Sequence, residues 1–342
     1  MYQSTMFKGV ATITLLLLMA APALASSGHD VADGKMSQSK ETVLGIQRTT
    51  AGTAAHTVFK AILARNVSLY RSGAGATGAS GGDGGMGFGA WGEVGWQHVD
   101  NSSSQWSRGD LANVTGGFDA QLGDAVVGIA VGGEWMDLDM SDSGRYKSDG
   151  FTLTPNLSYV LMPDLMLDAA LGLGWQDNYQ KSSYISNSDN QRHSMDGNFS
   201  SWRLFTTAGL TKFWMIDEDL LISARGGAMY LYQETESHTL KGGGGLPFSN
   251  DFFDVSKDNI DLLQLSLSGR VDYQIGDFSP FASATYLQDV YKSGRQNDFV
   301  GGILEGGCNY RIDDMSMGIS AVYSIRSQYQ SIGGMLNFRW DF

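Results

Sequence analysis

The chain has a single cysteine, Cys308, in 342 residues, so no internal disulfide can form. In an oxidising compartment its stability has to come from backbone pairing and packing. After residue 25 no stretch approaches 18 consecutive apolar residues, which excludes a bundle of membrane-spanning helices. Charged residues make up 17%, below the roughly 25% of soluble domains. The five histidines, at 29, 56, 98, 193 and 238, show no His-x-x-x-His spacing, so no zinc centre is expected. A net charge of −13 argues against nucleic acid as a partner.

What is present begins with a secretory leader. Lys8 precedes an apolar run from Val10 to Ala21 and an Ala23-Leu24-Ala25 end, which reads as a signal peptide over 1–25, cleaved after Ala25 and handled by the Sec translocon. The run is too short to remain as a membrane anchor. Residues 26–48 are polar and aperiodic and read as a short flexible segment. Over 49–71, Ala51, Ala55, Val58, Phe59, Ile62, Leu63 and Tyr70 recur at helical spacing with Lys60 and Arg65 elsewhere on the wheel. One amphipathic helix of that length spans about 33 Å, close to a bilayer's thickness. Residues 72–85 are a Gly-rich linker. Charge is uneven along the chain: residues 26–84 carry a net +2 and residues 85–342 a net −16.

From 86 to 342 the dominant period is two. Leu165, Leu167, Ala169, Leu171, Leu173 and Trp175 alternate with Met166, Asp168, Ala170, Gly172, Gly174 and Gln176, so one face is apolar and the other small or polar. Repeating the exercise places strands at 86–99, 108–122, 125–139, 148–161, 164–178, 198–214, 219–235, 259–275, 277–290, 298–312, 315–327 and 329–342. Every second connection is tight and mostly acidic, as in Leu122-Gly-Asp-Ala125 and Ile312-Asp-Asp314, whereas those at 100–107, 140–147, 179–197, 236–258 and 291–297 are longer and polar. Short periplasmic turns alternating with external loops over an even strand number predict an all-β fold, a twelve-stranded antiparallel transmembrane barrel in the outer membrane of a Gram-negative cell. Trp96, Trp135, Trp175, Trp202, Trp214, Tyr230 and Tyr232 near strand ends suit the aromatic girdles that meet outer-membrane lipid. The polar face of the alternation aims Glu93, Asp119, Glu134, Asp168, Arg270, Glu305 and Arg339 into the lumen.

The last strand sets Ile332, Gly334, Leu336, Phe338, Trp340 and Phe342 on one face and ends on an aromatic residue. Such an end looks like the signal read by the barrel-assembly machinery, carried here by Phe338, Trp340 and Phe342. Asn337 stands where many such signals have glycine. With the leader, the helix and twelve strands, residues 49–342 resemble the translocator domain of the autotransporter family. That resemblance implies that the helix lies inside the barrel and that the segment before it, the passenger, emerges at the cell surface. Lys60 and Arg65 of a threaded helix would then meet the lumenal carboxylates. The segment 26–48 would be a vestigial passenger, since family passengers are usually large.

The expected role is anchoring or export of that short segment, with no cofactor, no metal and no enzymatic step. A small-solute channel and a surface adhesin working through the long loops are the alternatives; the residues name no surface partner. Chemistry needs a base within reach of a nucleophile or water, and His98, Asp100, His193 and Asp196 make no such set. Gly242–Gly245 lacks the strand-to-helix context of a phosphate loop. Asn66 corresponds to a place where some family members cleave their passenger.

Overall fold

The computed structural model describes residues 60, 62, 65–67, 70, 87–101, 107–185, 192–242, 252–293, 300–327 and 329–342; the side chains of 142, 184, 185, 192, 193 and 252 lie outside that description. Leader, short polar segment and linker (1–25, 26–48, 72–85) fall outside it, as does most of the helix expected at 49–71.

Among the described residues fourteen strands form one sheet. They are β1 (Gly87–Asn101), β2 (Ser107–Leu122), β3 (Ala125–Met140), β4 (Gly144–Met162), β5 (Leu165–Ile185), β6 (Arg192–Met215), β7 (Leu220–Thr235), β8 (His238–Gly242), β9 (Phe252–Val255), β10 (Asp258–Tyr273), β11 (Phe278–Lys292), β12 (Val300–Ile312), β13 (Met315–Arg326) and β14 (Tyr329–Asp341). Each pairs antiparallel with its neighbour in the chain, except that β7 pairs with β10 across the short β8–β9 hairpin. β1 pairs with β14 from Gly89↔Asp341 to Asn101↔Tyr329, which closes twelve strands into a barrel. Closure removes the free edges that a bilayer could not hydrate.

Alternation along these strands sorts the side chains between two solvents. Val94, Phe118, Ile129, Val131, Leu173, Leu267, Leu304, Ile319 and Leu336 point outward and are exposed, while Thr115, Thr152, Thr154, Asn156, Ser158, Thr207, Thr211 and Ser268 are buried inside. An apolar exterior around a polar interior is the reverse of a soluble barrel and marks a lipid-facing wall. Trp96, Trp135 and Trp175 ring the long-loop end, and Phe88, Trp214, Phe278, Trp340 and Phe342 ring the other. Tight turns need unusual backbone: Gly123 and Gly276 adopt φ of +61° and +58°, where glycine carries no Cβ penalty. At the β4–β5 turn Asp164 accepts from Lys212, which holds its carboxyl below the usual carboxylate range. Pro155 in β4 pairs with Ile129 of β3, but the β4–β5 ladder skips 154–155, consistent with a residue that has no N–H to donate.

Three of the expected loops are corrected. Of the loop expected at 140–147, only Ser141–Ser143 is a 3-10 turn, and β4 starts at Gly144. The segment expected as a loop at 179–197 instead carries β5 out to Ile185 and β6 back from Arg192, a hairpin projecting beyond the girdle. Within 236–258 lie β8 and β9, and β8 pairs with β6 at Met195↔Gly242 and Asp196↔Lys241. The physical reason is common to all three. Apolar alternation marks a strand only where one face meets lipid; above the membrane a polar strand pairs just as well through its backbone.

Candidate functional site in the barrel lumen

The lumen has two kinds of wall. Phe205 on β6, Leu231 on β7, Leu262 on β10 and Ala170 on β5 form one buried apolar patch, and Met166, Phe213 and Leu221 form a second nearer the tight turns. Acidic groups stand on other strands: Glu93 on β1, Asp119 on β2 and Glu305 on β12, all buried or nearly so.

Six residues of the expected helix are described, and each is helical: Lys60, Ile62, Arg65, Asn66, Val67 and Tyr70. Ile62 packs in the first apolar patch, Val67 in the second, and Tyr70 stacks on Phe213 with ring centroids 4.5 Å apart. The two cations on the other side of the wheel find carboxylates. Lys60 Nζ lies 2.9 Å from Glu305 Oε1. Arg65 donates to Asn156 Oδ1 at 2.9 Å and to Ser158 Oγ at 2.5 Å, with Asp119 at 3.8 Å. The apolar and basic sides of the helix therefore meet apolar and acidic wall respectively. Asn66 is fully buried, and neither atom of its carboxamide has a hydrogen-bond partner among the described residues.

The remaining lumenal charges form pairs, one within β10 and the others between strands that are not adjacent in the sheet. Arg225 holds Asp168 through two bonds, at 3.1 and 2.5 Å. Arg203 binds Glu134, which also accepts from Gln176. Arg270 grips Asp272 at 2.8 and 2.7 Å and lies 3.7 Å from the centre of the Phe281 ring. Arg339 donates to Asp119 at 2.9 and 3.1 Å, and Arg326 to Asp289 at 2.8 Å. Burial without pairing would cost several kcal/mol per ion, about 3–5 when one partner is removed. All seven charges aimed inward from the sequence are buried or largely withdrawn from solvent. Arg203, Arg225 and Asp289 were missed, although the same alternation rule places each of them inside; the alternation also sets Asp272 and Arg326 on the polar face of their strands.

At the barrel seam the terminal aromatics are tied to the first strand. Phe342 N–H donates to Phe88 O at 2.9 Å, Phe88 N–H donates to Phe342 O at 3.1 Å, and their rings stack at 6.4 Å. Phe338, Trp340 and Phe342 all face outward. The residues weighed for catalysis are dispersed: His98 meets Asp110 at 2.9 Å on the outer face of β1, Asp100 pairs with Arg108, and Asp196 lies on β6. The His193 side chain and Gly243–Gly245 lie outside the described residues.

Closed strands, an apolar outer wall and a charged lumen define an outer-membrane β-barrel. This chain belongs to the autotransporter β-domain family, whose model, described as "Autotransporter beta-domain", matches residues 84–321. Among solved structures it is similar to the translocator domain of the autotransporter NalP from Neisseria meningitidis, at 14% identity and a TM-score of 0.66, over 85% of this chain and 98% of that one. The β domain of the Bordetella autotransporter BrkA is 17% identical with a TM-score of 0.57, over 74% of this chain and 98% of that one. At such identities the likeness is one of fold. No curated protein matches the chain.

Proposed function

We propose that the barrel carries its own N-terminal segment to the cell surface and holds it there, with residues 49–71 crossing the lumen as one helix. The direction of the chain inside the barrel supports this reading most. Lys60 meets Glu305 in the middle of β12, and Ile62 meets Phe205, ten residues before the end of β6. Val67 and Tyr70 lie against Met166, Phe213 and Leu221, beside the tight turns. The chain thus runs from mid-barrel toward the short-turn, periplasmic end, a direction that would carry the segment before Lys60 to the long-loop mouth. Signal-peptide removal after Ala25 by the Sec route and insertion through the barrel-assembly machinery would precede this step, leaving 26–48 as a short exposed passenger. The reading needs no cofactor and no bond-breaking chemistry.

The test is an epitope tag after Ser27. Antibody and added protease should reach it on intact cells while a periplasmic control stays protected. A tag reached only after the outer membrane is broken overturns the proposal.

A further inference from the structure

Because the helix residues lean on the apolar wall of β5–β7 and β10, space is left on the other side. A cavity of about 390 Å³ lies between Arg65 and Val67 and the wall made by β1 and β10–β14. That volume is in the range of small-molecule sites. Glu218 and Asp277, in two of the tight turns, line it at the periplasmic end, and Trp91 and Glu93 of β1 line it deeper in. Glu93 is 6% exposed, and its Oε1 has no hydrogen-bond partner.

The lining charges decide what would fit. Arg65 has Asp119 and Arg339 has Asp119 and Asp341, while Arg270 is held by Asp272. Among the described residues no ion pair engages Glu93, Glu218 or Asp277, and the one lining cation in the same position is Arg311, whose Nε donates to the Asp313 carbonyl. The nearby Lys60 ammonium is already paired with Glu305. The cavity thus has two unpaired acids at its mouth and, at its inner end, an unpartnered carboxyl oxygen of Glu93 beside the Trp91 indole. A cation gains from both, the carboxylate by charge-assisted hydrogen bonding and the indole face by its quadrupole.

We propose that this periplasm-facing cavity binds a small organic ammonium ion, with Glu93 as its counter-ion, Trp91 beside it and Glu218 and Asp277 drawing it in from the periplasm. This site rests on the docking of Arg65 and Val67 in the lumen that the proposed function includes, but not on export of the N-terminal segment.

The refolded full-length mature protein in detergent would be titrated calorimetrically with putrescine, and in parallel with butanediol and succinate. Saturable binding of putrescine alone is expected, weakened about tenfold or more by Glu93→Gln and by raised salt. Since Glu93→Gln replaces a buried group, Glu218→Lys and Asp277→Lys at exposed turns provide a second arm, each expected to weaken binding about tenfold. Retained heat-modifiable gel mobility verifies folding of every variant. Equal binding of the diol, no binding of putrescine, or binding unchanged in both turn variants overturns the site and leaves a water-filled space.

Discussion

Reversing the charge of Lys60 tests whether electrostatics hold the helix against the lumenal wall. At 2.9 Å and an effective dielectric of about 20, the Lys60–Glu305 attraction is about 6 kcal/mol before desolvation is subtracted. Both side chains are largely withdrawn from water, at 12% and 9% exposure, so most of that gain is offset. A net coupling of about 2 kcal/mol is expected, which is roughly a thirtyfold change in the balance between docked and undocked helix. Lys60→Glu and Glu305→Lys should each raise the open probability of the barrel in planar bilayers, and the double exchange should restore much of the wild-type occlusion. Arg65, with Asn156, Ser158 and Asp119 around it, keeps part of the helix anchored in the single variants. Identical conductance in wild type, both single variants and the exchange would refute the reasoning, because a helix bound elsewhere has no use for this pair.

Removing one partner of the Arg225–Asp168 pair, each 2% exposed, should cost about 3–5 kcal/mol in urea-induced unfolding, while Asp168→Leu with Arg225→Leu costs far less. Val131→Arg, on the lipid side near mid-height of β3, should destabilise the folded barrel by about 2–4 kcal/mol in vesicles, and Thr115→Arg inside should behave differently because it meets water and charge rather than lipid. Deleting Phe342 removes both hydrogen bonds to Phe88 at the seam and should lower the yield of heat-modifiable barrel in cells. The Asp164 carboxyl titrates lower in the folded chain than in the unfolded one, so the Lys212 bond contributes above the unfolded carboxylate pKa and is lost as pH falls through the folded value; Asp164→Asn should flatten that acid-side slope in unfolding midpoints.

The sequence by itself determined the wall of this protein. A period of two with lipid on one side and polar groups on the other leaves little freedom, because a one-residue slip would exchange the two faces. Hence the twelve barrel strands and their tight turns were legible from alternation, as was the set of strand positions, Glu93, Asp119, Glu134, Asp168, Arg270, Glu305 and Arg339, that are withdrawn from solvent. The same signal fades above the girdle, which is why the outer parts of β5 and β6 and the β8–β9 hairpin read as loops until backbone pairing placed them. Only the tertiary structure decided which charges meet. Arg225 and Asp168, 57 residues apart, meet through the β5–β6–β7 register, and Arg339 and Asp119, 220 apart, meet through closure of β1 on β14. The fold likewise sets Ile62 and Val67 against two apolar patches and Lys60 against Glu305. Local pattern encodes which side of a strand a residue occupies, whereas the partner across the lumen depends on the register of every strand between them.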